Sequence, residues 1–406
     1  MKRIFFFPLS RSGGFLYAIF LLSGACSSGH EQQLWKESRV ELAAYRAELD
    51  SMRREFRVFD MPDVSFFLFG MGDREKFLYK DGKLMESFTG RVVKEWDVNE
   101  ELIVPSLYRV LLKTKNGKTV LLQEDEKGFY LCEGDAKSFS LPGAQSLLFL
   151  PAFENKRFSR ILKVLHQEIL VNIVDGVPLP NYFVYKKGWR RDGAMMAICL
   201  EKTGNIDLIR SWVLDFSDPY DRNNAGEEEA DNPGQTLYLL SLFADKNHPA
   251  VARTLEEVKK FERKNDQGKF IQGRSDFGDK PVYQTKFLKW GLKKIGLPDD
   301  YIIPYVQDDY ATLFWWDYKD SYMPGTVDAY DKNDYYPYLG WAADHFHGLK
   351  RNPISNRDYP LTWEIRAGQA NYEGMRIIDS QYTVQRIATP HTWHAAEIFL
   401  YLMDDI

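Results

Sequence analysis

Acidic side chains meet rings and amides at four places in the chain, each beside a loop that runs into an apolar stretch. The first is Gly188-Trp189-Arg190-Arg191-Asp192-Gly193, ahead of the apolar run Ala194–Leu200. Asp192 has two readings there, a cap accepting backbone N–H bonds of a first helical turn or a ligand contact, and Arg191 pairs with an acid or with a ligand. The second, Asp221 to Gln235, sets Glu227, Glu228, Glu229, Asp231 and Asn232 before Pro233-Gly234. A Glu run is ordinarily a solvated face, and an Asp before Asn-Pro-Gly is ordinarily a cap. The third is Gln307-Asp308-Asp309-Tyr310, leading into Phe314-Trp315-Trp316-Asp317. The fourth is Thr362-Trp363-Glu364, followed by Gln369 and Tyr372. Thr389-Pro390-His391-Thr392-Trp393-His394-Ala395-Ala396-Glu397 then closes the chemistry-bearing part of the chain.

Carboxylates beside rings are the equipment of glycoside hydrolysis: one acid protonates the leaving oxygen, another activates water, and rings stack on sugar faces. Other chemistries lack their residues. There is no phosphate-cradling glycine loop, no G-x-S-x-G elbow and no reactive cysteine context. His391 and His394 are three apart without a third ligand at a recognisable spacing, and HExxH is absent, so neither a metal nor another cofactor is expected. The net charge of −5 also argues against a nucleic-acid partner, which would need a basic surface.

Trp189-Arg190-Arg191-Asp192 before a small-residue helix resembles the W-x-R-D segment of glucoamylase-like glycosidases. Glu228 and Glu229 with Asp231 and Asn232 look like the acidic helix entry of related exo-α-mannosidases. The closing Pro390–Glu397 stretch is similar to the P-x-T/S-W-x-x-A-E helix of bacterial glucoamylases. The resemblance covers roughly 185–406 and implies an (α/α)6 barrel that hydrolyses glycosidic bonds with inversion. It implies Asp231 as general acid and Glu364 as general base, with Asp308 or Asp309 the alternative acid because no Glu lies between Glu262 and Glu364. Arg191 and Asp192 would hold the terminal sugar, Trp189, Trp316 and Trp363 would wall the pocket, and Glu229, Asn232, His391 and His394 would line it. Two other functions stay open: a non-catalytic glycan-binding protein using the same cleft, and a polysaccharide lyase with Tyr and His as its acid–base pair.

The elements that must position these residues follow from hydrophobic spacing. Leu42, Tyr45, Leu49, Met52 and Phe56 make one apolar helical stripe. Over 63–155, short apolar runs broken by glycines predict a small antiparallel β-domain, with Asn116-Gly117 as a hairpin turn between Leu107–Lys113 and Thr119–Gln123. From 156 to 406 the period turns helical, with helices expected at Ala194–Thr203, Gly234–Phe243, Val251–Glu262, Val282–Ile295, Ala311–Tyr318, Tyr338–Phe346, Thr362–Ile377 and His394–Met403 among others. The fold expected is therefore mainly α, a toroid behind a small β-domain. Aromatic residues, 15% of the chain, crowd 301–346 together with Asp308, Asp309, Asp317 and Asp320, which predicts a sugar-binding rim there. At the N-terminus, Lys2, Arg3 and Arg11 precede Phe15–Leu22 and then Ser23-Gly24-Ala25-Cys26. That pattern resembles a bacterial lipoprotein signal over 1–25, with Cys26 acylated and 26–62 holding a tether and the first helix. The expectation is an exported protein, lipid-anchored to the bacterial cell envelope, with a carbohydrate as its partner.

Overall fold

The computed structural model describes residues 28–56, 66–134, 139–306, 308, 310, 362, 364–365 and 370–403. Its first element, α1 (Ser28–Phe56), buries Leu42, Tyr45, Leu49 and Met52 on one stripe, the face that their spacing predicts. Two antiparallel meanders follow. One has four strands in chain order: β1 (Phe66–Phe69), β2 (Phe77–Lys80), β3 (Lys83–Glu86) and β4 (Val92–Glu95). The other has five: β5 (Val98–Val104), β6 (Arg109–Thr114), β7 (Thr119–Glu124), β8 (Gly128–Glu133) and β9 (Phe139–Gln145). Asn116-Gly117 makes the β6–β7 turn with Gly117 at φ 83°, a left-handed conformation that glycine adopts without steric cost. A buried ion pair fastens the two sheets. Arg74 Nη1 lies 3.0 Å from Glu124 Oε1, and the Glu124 carboxylate also accepts the backbone N–H groups of Gly70 and Met71. These extra donors offset the desolvation that a buried pair otherwise suffers.

The second half is helical but interrupted. Its helices are α2 (Ser159–Val171), α3 (Arg190–Thr203), α4 (Arg210–Leu214), α5 (Asn232–Ser241), α6 (Pro249–Val258), α7 (Pro281–Ile295), α8 (Ser380–Gln385) and α9 (Thr392–Met403). Two-stranded hairpins separate them: β10–β11 (Ile173–Val174, Val177–Pro178), β12–β13 (Glu262–Lys264, Lys269–Ile271), β14–β15 (Arg274–Ser275, Gly278–Asp279) and β16–β17 (Glu364–Ile365, Ile387–Ala388). α9 packs on α2 and α3, α3 on α5, and α5 on α7. The α5–α7 contact needs glycine on both sides: a Cβ on Gly234 would lie 2.5 Å from Leu288 N, and one on Gly291 2.5 Å from Gly234 O.

The fold is not the mainly α toroid that hydrophobic spacing suggests. Helix makes up 41% and strand 21% of the described residues, with antiparallel sheets both ahead of most of the helices and among them. Periodicity misleads most clearly at 362–377, expected as one helix. Glu364–Ile365 is instead a strand paired with Ile387–Ala388, and Tyr372–Ile377 is a 3-10 helix. Likewise the helix expected to reach Glu262 stops at Val258, because Glu262 begins a hairpin strand facing Ile271. The helices expected at 311–318 and 338–346, the rest of the aromatic-rich rim, and Asp309, Trp316, Trp363 and Cys26 with the segment before it lie outside the described residues. No helix among the described residues is long and apolar enough to cross a membrane.

Candidate active site

The first turn of α3 carries the chemistry. Trp189 occupies its N-cap position, and the first-turn N–H of Arg190 is capped from another loop by Asp221 Oδ2 at 2.6 Å. With capping done by Asp221, Arg191 and Asp192 are free to point elsewhere, and both are buried.

Arg191 is consumed by acids. Its Nε lies 2.7 Å from Asp231 Oδ2, Nη1 2.6 Å from Asp276 Oδ1 and Nη2 3.1 Å from Glu229 Oε2. Trp393 lies below the guanidinium, 5.6 Å from ring centroid to Cζ. The carboxylates are themselves braced. Ser275 Oγ donates to Asp231 Oδ1 at 2.7 Å, Gln235 Nε2 to Asp231 Oδ2 at 2.7 Å, Asp276 N to Glu229 Oε1 at 2.6 Å, and Tyr310 OH to Asp276 Oδ2 at 2.8 Å. Burial disfavours charge on Asp231, but the Arg191 charge and the three side-chain donors outweigh it and hold the carboxyl below its ordinary range. A proton donor must hold its proton at working pH. Asp231 is placed as the counter-ion of Arg191, a setting that opposes the general-acid role expected for it. Glu229, pushed up to about 8 by burial first, is the protonated member of this network. Glu227 and Glu228 belong to the surface, paired with Arg274 and with Arg222 and Lys260.

A second cluster gathers around Glu364. The β16–β17 pairing sets Glu364 opposite Ala388, and a bond from His391 N to Thr362 O (2.7 Å) draws His391 in beside it. His391 Nε2 lies 2.5 Å from Glu364 Oε2. Tyr185 OH donates to both Glu364 oxygens, at 2.9 and 3.1 Å, and Tyr372 OH to Oε1 at 3.2 Å. Trp189 stacks edge-on against Tyr185 at 5.1 Å, and the His394 ring lies 5.0 Å from that of His391. Burial opposes the Glu364 charge, yet the neighbouring His391 and the hydrogen bonds from His391 and Tyr185 keep its carboxyl below the usual range.

Asp192 sits in electrostatic contact with both clusters. It caps nothing, and its Oδ1 is buried with no hydrogen-bond partner among the described residues. Burial pushes its carboxyl up to about 7; His391 and Arg191 work against that rise, and Glu364 and Asp276 add to it. Trp189 Nε1 and His391 Nδ1 are likewise buried without partners among the described residues. An indole N–H, an imidazole nitrogen and a carboxyl oxygen left unmatched around one cluster form a donor–acceptor set suited to hydroxyl groups.

Of the residues singled out in the sequence, the structure brings Trp189, Asp192, Glu364, His391 and His394 into this cluster, and Arg191, Glu229 and Asp231 into the adjoining ion network. Two others do structural work. Asp308 accepts the N–H of Tyr283 at 2.9 Å, in the first turn of α7, and that of Tyr310 at 2.8 Å, and so caps that helix. Asn232 bonds Gln235 at 3.1 Å and accepts Asp221 N at 3.4 Å. Sequence reasoning missed Tyr185, Ser275 and Asp276. Asp276 carried a faint signal, an Asp-Phe-Gly turn whose Asp takes φ 52°. No family model, curated protein or solved structure matches the chain.

Proposed function

We propose that the chain is a glycoside hydrolase whose proton donor is Asp192 and whose basic partner is the Glu364–His391 pair. One arrangement carries this: two buried carboxyls in electrostatic contact sit in opposite environments, Asp192 with Oδ1 unbonded among the described residues and raised to about 7 by burial, and Glu364 gripped by Tyr185 and His391 and held below its ordinary range. Environments that drive two carboxyls apart in this way assign an acid and a base. The surrounding Trp189, Tyr185 and Tyr372 supply ring faces and hydroxyls for a sugar. A lyase is less well supported. It must neutralise a uronate carboxylate, and Arg191 is already paired with Asp231 and Asp276 of this chain.

Glycan binding without catalysis is favoured by a different observation: Asp231 and Glu364, the two acids first expected to react, are both buried in ion pairs. A panel of α- and β-linked oligosaccharides, read by product release and anomer detection, separates the two. The hydrolase reading expects turnover of at least one glycoside, and a drop of about 100-fold or more in kcat for Asp192→Asn and for Glu364→Gln with unchanged circular dichroism. Glycans bound but never cleaved by the wild type would establish the binding reading.

A further inference from the structure

We propose that His391 takes the proton of the attacking water at Nδ1, and that Glu364 acts on it as a positioning residue gripping Nε2. The inference rests on the hydrolase reading for its reaction step but not for its tautomer. Glu364 has little capacity left for a water: Oε1 accepts from Tyr185 and Tyr372, and Oε2 from His391 and Tyr185. A carboxylate held by three donors is also a weak base, since each bond stabilises its charged form. His391 has the converse arrangement. Its Nε2 is committed to Glu364 at 2.5 Å, which places the ring proton of the neutral form on Nε2 and the lone pair on Nδ1. Nδ1 is buried without a partner among the described residues, as is Asp192 Oδ1. This is the logic of a carboxylate–imidazole dyad, in which the acid orients and charges the ring and the opposite nitrogen moves the proton.

The step balances. Nδ1 accepts a proton from water as the water oxygen bonds the anomeric carbon. The bond from that carbon to the leaving oxygen breaks, the electron pair goes to oxygen, and that oxygen takes the Asp192 proton. His391 is then cationic and Asp192 anionic, and passing one proton from Nδ1 to Asp192 restores the starting state. The groups that face His391 are Glu364 on β16, Asp192 on α3, Glu397 and His394 on α9, and Tyr185 from the loop before α3. Burial resists charge on His391, while the Glu364 carboxylate favours it and prevails, so Nδ1 is bare only above that raised pKa.

Nitrogen NMR of the full-length protein labelled at histidine tests the tautomer, the His391 signals being identified by their loss in His391→Gln. The expected result at alkaline pH is a protonated Nε2 and a bare Nδ1. His391 should titrate at lower pH in Glu364→Gln. A bare Nε2, or a titration that Glu364→Gln leaves unmoved, overturns the proposal; the wild-type tautomer decides by itself if Glu364→Gln fails to fold. On any glycoside that the wild type cleaves, His391→Ala should lose about 100-fold or more in kcat and regain activity with added imidazole. Cleavage without that loss or without rescue overturns this inference and leaves the hydrolase reading standing. No cleavage of any glycoside, with the expected tautomer present, overturns the hydrolase reading and the water step with it.

Discussion

Asp192 and Asp231 are the same side chain in two environments 39 positions apart in sequence and both close to Arg191, and what separates them is that guanidinium. Arg191 aims at Asp231 and leaves Asp192, its chain neighbour, with burial but no hydrogen bond at Oδ1. The two substitutions should therefore differ in sign. Asp231→Asn removes one counter-charge from a buried cation and should lower unfolding free energy by on the order of 3 kcal/mol. Asp192→Asn removes a group whose folded pKa of about 7 lies above its unfolded value. Such a carboxyl leaves stability intact below its unfolded pKa and weakens it as pH rises toward the folded value. The substitution should be near neutral at pH 4 and stabilising by about 1–4 kcal/mol at pH 8, measured by urea titration at both. The clusters that contain these residues are legible in sequence from composition alone, acids beside Trp, Tyr and Asn. Which acid Arg191 selects is not, because the choice depends on Ser275, Gln235 and Asp276 arriving from separate elements.

Elements rather than residue types decide those arrivals. The β14–β15 hairpin presents Ser275 to Asp231 and Asp276 to Arg191, and its six residues carry no hydrophobic period for a sequence reading to detect. β16 is only two residues long, yet its pairing with β17 delivers Glu364 beside His391. Helical spacing of apolar residues around it points to the wrong element, because a two-residue strand is specified by its partner and not by its own pattern. The longer elements were legible: α1 by its stripe and the β6–β7 hairpin by Asn-Gly. The α5–α7 contact lies between these cases. Gly234 reads as a helix-entry residue after Pro233, whereas its structural task is to let Leu288 approach. Gly234→Ala should gain helix propensity and still destabilise, by about 1–3 kcal/mol, since the new methyl meets backbone rather than a movable side chain. Because α5 begins at Asn232, directly after Asp231, the same variant should broaden the Arg191 side-chain NMR signals. A stable variant with unchanged signals would show that the helices separate without disturbing the network.

Across the molecule, buried carboxyls set an unusual pH profile. Asp192 is pushed up to about 7, and Glu168, Glu229 and Glu397 to about 8, burial being the leading cause for each. All four keep a proton in the folded state that the unfolded chain releases near pH 4. Between those values the native state binds more protons than the unfolded one, so stability falls as pH rises. Asp231 and Glu364, held below their ordinary range, act in reverse and withdraw support only when pH drops beneath the unfolded carboxylate value. The two groups together place the stability maximum near pH 4, with a decline from about pH 5 to pH 8 of up to about 1.4 kcal/mol per pH unit for each raised group that behaves independently. Glu168 allows the profile to be tested away from the proton-transfer residues. Glu168 Oε2 is buried with no hydrogen-bond partner among the described residues, and Oε1 meets only Thr362 Oγ1, at 3.3 Å. Glu168→Gln should flatten the decline between pH 5 and 8 while leaving stability at pH 4 nearly unchanged, and Glu397→Gln should do the same. Urea midpoints across that range read both effects. A Glu168→Gln midpoint that falls between pH 5 and 8 as steeply as that of the wild type would mean that Glu168 ionises in the folded protein and contributes nothing to the decline.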